Sequence, residues 1–138
     1  MRFLLLALVA CARPAAPPPG AAGPAEAVQE LSQALQRGDT GAAWSLLSEG
    51  TRASADRLAA QARAGSDAGP SSGREMLFGN ALPGKPIEVK VLSESGDSAE
   101  VQASAPDGGE QRAFHAVREA GVWHVTLPLE ERDAGPGR

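Results

Sequence analysis

Tyrosine is absent from the 138-residue sequence, and three Phe and two Trp make up an aromatic content of only 4%. A surface that stacks nucleic-acid bases would have almost nothing to build from. Cations are not in surplus either, since 13 Lys and Arg face 17 Asp and Glu for a formal net charge of -4. The excess of basic side chains that neutralises a phosphate backbone is missing, so nucleic acid is not an expected partner. A single cysteine excludes an internal disulfide framework and any site made of several thiolates. No apolar run reaches the roughly 20 residues that a membrane-crossing helix needs. The sequence holds no phosphate-cradling glycine loop, no G-x-S-x-G elbow and no metal-ligand spacing.

What is present is a folding composition, 42% hydrophobic and 22% charged, although alanine supplies many of the apolar residues and buries little area in each case. One domain with a thin core is expected from this length. At the amino end, Met1 and Arg2 form a short positive segment, and residues 3–10 (FLLLALVA) are unbroken apolar sequence. That pattern reads as an export signal over residues 1–10. The run Leu8-Val9-Ala10-Cys11 resembles the lipobox of bacterial lipoproteins. The resemblance implies cleavage before Cys11, lipid on its sulfur and the membrane as a partner, held by acyl chains at about 0.8 kcal/mol per buried CH₂. By the same resemblance Ala12, standing where inner-membrane lipoproteins of enteric bacteria carry Asp, implies the outer membrane, facing the periplasm. Residues 11–24 are too rich in Pro and Gly to pack and are expected to be a tether.

From residue 25 the period is helical. Val28, Leu31 and Leu35 share one stripe with Ala27 and Ala34, and Gly38 is the stop. Asp39 or Thr40 is placed to cap a short second helix that carries Trp44 and ends near Gly50. Thr51 or Ser54 can cap a third, alanine-rich helix to about residue 64; residues 65–73 are expected to be a mobile loop, and 74–78 a last turn. The period then changes to two, with strands expected over 86–94, 98–105, 110–119 and 122–129. A three-residue loop 95–97 sets Val91 across from Val101 and Val89 from Ala103. A two-residue turn at Ala120-Gly121 sets Phe114 across from Leu127, Ala116 from Val125 and Arg118 from Trp123. The loop at 106–109 is expected to bring Ala103 opposite Phe114 and Val101 opposite Ala116. One face is then dry, with Ile87, Val89, Val91, Ala99, Val101, Ala103, Phe114, Ala116, Trp123, Val125 and Leu127. The other carries Glu88, Lys90, Glu100, Gln102, Ser104, His115, His124 and Thr126. A sheet dry on one side needs a cover, and the helices are the cover available, which makes the fold α+β with N-terminal helices on one face of a four-stranded antiparallel meander.

Helices followed by a meander, and the ending Glu119-Ala120-Gly121-Val122-Trp123-His124-Val125, resemble the NTF2-like (cystatin-like cone) superfamily over about residues 25–129. The resemblance implies a cone-shaped domain, and it is nearest to small secreted or lipid-anchored bacterial members of unknown function. That fold hosts isomerases, dehydratases, cargo binders and scaffolds alike, so it does not imply an activity. An isomerase resembling ketosteroid isomerase would need an Asp base and a Tyr-containing oxyanion site, and tyrosine is lacking.

The expected pocket lies among Trp44, Phe78, Arg118 and Trp123, with Arg118 the sole ionisable group on the dry face, stacked on the Trp123 indole. Asp56, Asp67 and Glu75 look solvated or capping, so no catalytic residue and no cofactor are expected. His115 and His124 share the outer face near Glu100 and Gln102, yet two imidazoles without a fixed third ligand read as surface histidines, and no metal is expected. Leu92, Ala113, Val117 and Val122 on the outer face could join a homodimer contact. The tail 130–138 is expected to be disordered. Together these readings describe a lipid-anchored cell-envelope protein, a non-catalytic binding or scaffolding module for an unidentified protein or small molecule. The alternative is a small enzyme or carrier acting on an apolar molecule in the cone.

Overall fold

A computed structural model of the chain describes residues 20–81 and 83–129. The signal segment, Cys11, most of the tether and the tail 130–138 lie outside the described residues. The elements are α1 (Pro24–Arg37), α2 (Thr40–Ser45), α3 (Glu49–Gly65), α4 (Gly73–Phe78), β1 (Glu88–Ser95), β2 (Ser98–Ser104), β3 (Gln111–Glu119) and β4 (Val122–Thr126). Among the described residues the fold is α+β, with four helices ahead of a four-stranded antiparallel sheet in the order β1-β2-β3-β4.

Helix α1 begins with Pro24 in its first turn, where a missing N–H costs nothing, and ends at Gly38, whose φ of +70° is the left-handed cap that glycine adopts without strain. Its stripe of Ala27, Val28, Leu31 and Ala34 is buried and lies across all four strands. Asp39 caps α2 by accepting from the Ala42 N–H at 3.0 Å, as the sequence predicts.

The α2–α3 junction departs from expectation. Gly50 does not stop a helix but lies in the first turn of α3, which begins at Glu49 and is capped by Ser48 rather than Thr51 or Ser54. The Ser48 hydroxyl accepts from the Thr51 N–H at 3.3 Å. The reason is tertiary. Leu46, Leu47 and Ser48 run along the edge of β4, where the Val125 N–H donates to the Leu46 carbonyl at 2.7 Å and the Ser48 N–H donates to the Val125 carbonyl at 2.9 Å. Leu47, fully buried, forms a parallel bridge with Val125, and the chain turns into α3 at Glu49, one residue before Gly50. The loop ahead of α4, expected to be mobile, is tied back to α3 by the Arg63 guanidinium, which donates to the carbonyls of Pro70 and Ser71.

The end of the expected tether also packs. Ala21 is 2% exposed and exchanges two backbone hydrogen bonds with Trp123, at 3.0 and 2.8 Å. Together with Leu46–Ser48 this closes the edge of β4, whereas β1 forms an open edge, exposed at every position but Val89.

The outer hairpin registers fall as expected, with Val91 across from Val101, Val89 from Ala103, Ala116 from Val125 and Arg118 from Trp123. The first is reached differently: Ser95 pairs with Ser98 across a two-residue turn, and a bulge between Val91 and Ser93 restores the parity. Gly96 opens that turn with φ +59°. The middle hairpin is corrected by two residues, so that Val101 faces Phe114 and Ala99 faces Ala116. Its loop keeps the expected bounds, residues 106–109, closed by the Ala105 N–H donating to the Glu110 carbonyl at 2.9 Å, and it is this closure that sets the pairing two residues away from the expected one. A slip of two preserves which side each residue faces, so the dry face survives the correction. It carries Ala99, Val101, Ala103, Ala116, Trp123 and Val125 into the core with Val28, Leu31, Leu46, Leu47 and Phe78. Val91, expected in the core, is 37% exposed on the outermost strand.

Candidate binding cavity

Between α1 and the β1–β3 side of the sheet the dry face is not filled. An open cavity of about 400 Å³ lies there, within the range of roughly 300 to 1,000 Å³ usual for small-molecule sites. One wall is α1 from Val28 onward, with Val28, Leu31, Ser32 and Leu35, and α4 adds Phe78. The segment from Gly84 to Ile87, leading into β1, forms a second wall beside α1, where the Ser32 hydroxyl reaches the Lys85 carbonyl at 3.5 Å. The sheet contributes Ala103, Ser104, Ala105, Phe114 and Leu127. The ionisable side chains of the lining are Lys85, Glu110 and Arg112, all three exposed at the rim. Among the described residues of the lining the interior therefore offers apolar contact and no buried acid or base for proton transfer.

Of the four residues expected to line a pocket, Phe78 does so; Trp44, Arg118 and Trp123 do not. Trp123, 3% exposed, and half-buried Trp44 pack in and against the core instead. Arg118 stacks on Trp123 as expected, with its guanidinium carbon 5.6 Å from the ring centroid. Its Nε and Nη2 both donate to Asp97 Oδ1, each at 2.8 Å. The pair is exposed, so it contributes at most about 1 kcal/mol. Arg118 is not the sole ionisable group on the dry side of the sheet. Arg112 pairs with Ala103 and shares its parity with Phe114, a placement that the alternation of the strand carries.

The outer-face histidines differ from one another. His115 is exposed and pairs with Glu100. His124, expected at the surface, is 6% exposed, with Nδ1 3.5 Å from Glu119 Oε1. That same oxygen accepts from the Glu49 N–H at 3.1 Å, so Glu119 sits at the amino end of α3, where a carboxylate is favoured by the helix dipole. The α3 start that the sequence did not place is therefore what anchors this corner. Gln102 is engaged by Gln111 at 2.6 Å. Among the described residues no group of three or more His, Cys, Asp or Glu is arranged to hold a metal ion.

The acids weighed for catalysis serve elsewhere or lie at the surface. Asp56 Oδ1 accepts from the Gly73 N–H at 2.8 Å where α4 begins, and Asp67 is exposed in the α3–α4 loop. Glu75 accepts from the side chain and the N–H of Ser71, bonds that hold its carboxyl below the usual carboxylate range, as expected of a group that receives hydrogen bonds in its charged form. Among the described residues no helix is long and apolar enough to cross a membrane. Comparison with protein-family models, with curated proteins and with solved structures finds no significant similarity for this chain.

Proposed function

We propose that this protein is a lipid-anchored, non-catalytic binding module of the bacterial cell envelope, an NTF2-like cone that holds an apolar small molecule between α1 and its sheet. The anchor is lipid on Cys11, and the placement is the outer membrane, facing the periplasm. The observation that carries the binding role is the composition of the cavity. Leu31, Leu35, Phe78, Ile87, Phe114 and Leu127 supply an apolar interior, while the charged side chains stay at the rim. An enzyme of this architecture would place an acid or base against its substrate, and this lining contributes contact area and exclusion of water instead.

Titration with the neutral fluorophore N-phenyl-1-naphthylamine tests the reading. Saturable enhancement is expected for the native chain. Ala103→Phe, which places a ring in the cavity beside Phe114, should weaken binding roughly tenfold or more, the loss of about two buried CH₂ equivalents. Thermal melting checks that the variant folds, and unchanged affinity in a folded variant would rule out this cavity as the site.

A further inference from the structure

The rim of the cavity is chemically asymmetric. Arg112 stands at the start of β3, directly across from Ala103 and on the same side of the strand as Phe114, so it belongs to the side of the sheet that lines the apolar space. No ion pair engages it among the described residues. Lys85 enters the lining from the segment alongside α1 and is likewise without an ion pair. Glu110 is the one acid of the lining, so two cations face one anion, a local positive surplus on a chain whose formal net charge is -4. A guanidinium at the end of an apolar strand face can lay its stem on that surface and present its planar fork to an oxyanion.

We infer that the ligand is a single-chain anionic amphiphile, its apolar chain inside the cavity and its anionic head at Arg112, with Lys85 adding attraction from the α1 side. The inference rests on the cavity reading above and names the class of molecule that fits it. The apolar interior sets the tail, because each CH₂ buried contributes about 0.8 kcal/mol, a factor of about four in affinity. The rim sets the head. A neutral head would leave both cations without a partner, whereas a carboxylate or phosphate would accept charge-assisted hydrogen bonds from Arg112 beside the low-dielectric interior.

Calorimetric titration of the full chain with decanoate, decyl phosphate and decanol tests this. Decanoate or decyl phosphate should bind roughly tenfold or more tightly than decanol, the gain of one charge-assisted hydrogen bond. The tighter of the two anions then distinguishes a carboxylate head from a phosphate head. Arg112→Gln should strip the anions of most of their advantage over decanol, with thermal melting reporting that the variant folds; Arg112→Lys should retain part of the gain. Glu110→Gln should tighten the anions, since it removes the opposing charge. Equal affinity of the anions and decanol in the native chain would overturn the inference while leaving the apolar cavity reading intact, as would anion affinity unmoved by Arg112→Gln. If none of the three ligands binds, the cavity reading itself fails.

Discussion

Ala120 is the only described residue other than glycine with a positive φ, +52°, and Gly121 follows at +81°. Two consecutive positive values are what a two-residue type I′ hairpin requires, and they favour Asn-Gly because an alanine Cβ crowds the backbone there. Ala120→Asn is therefore expected to stabilise the domain by about 1 kcal/mol and to raise its melting temperature by roughly 4 to 8 °C. Calorimetry checks this, and an unchanged or lower melting temperature would mean that the turn does not hold that conformation. The residues of this hairpin were legible in the sequence because a turn and an alternating pattern are local properties. Burial of His124 was not. Its strand parity marks it as outward, and only the contact of Glu119 with the α3 amino end shows that this part of the outer face is covered.

Among the elements, α1 follows its periodicity and its glycine stop. Helix α2 starts at its expected cap but ends at Ser45 because Leu46–Ser48 pair with β4, while α3 and α4 are positioned by one another. Gly73 opens α4 where a Cβ would lie 2.6 Å from the Asp56 nitrogen and 2.7 Å from the Ala55 carbonyl carbon, so the two helices meet backbone to backbone. Gly73→Ala must push them apart and should destabilise by about 1 to 3 kcal/mol. Denaturant unfolding measures it, and a cost below about 0.5 kcal/mol would show that the helices do not meet so closely. No feature of the local sequence separates this glycine from Gly50, which lies in an uncrowded helical turn. The middle hairpin shows the same limit. Alternation determines side but leaves a slip of two residues open, so the expected dry side was kept, apart from the exposure of Val91, and the expected pairing was not.

At the scale of the molecule, the sheet has one edge closed by Ala21 and Leu46–Ser48 and one edge left open at β1, where Leu92 is 47% exposed. The cavity opens between α1 and the β1–β3 side of the sheet; α1 lies across all four strands, while α4 packs on α3 and α2 and reaches the core through Phe78. On the proposed anchoring, Cys11→Ala should abolish incorporation of a fatty-acid label and move the protein from the membrane fraction to the soluble fraction. Retention in the membrane fraction without label would remove the lipid from the reading. The sequence by itself determined the class of fold, the order of helices and strands, most of the dry face and the stacking of Arg118 on Trp123, because each follows from period, turn chemistry or near-neighbour register. Only the tertiary structure decided that the chain between α2 and α3 serves as a strip along β4, that Trp44 and Trp123 pack away from the cavity, and that Arg112 rather than Arg118 reaches its rim. Those outcomes depend on how a narrow helical cover is distributed over a wider sheet, and the packing of distant segments sets that distribution.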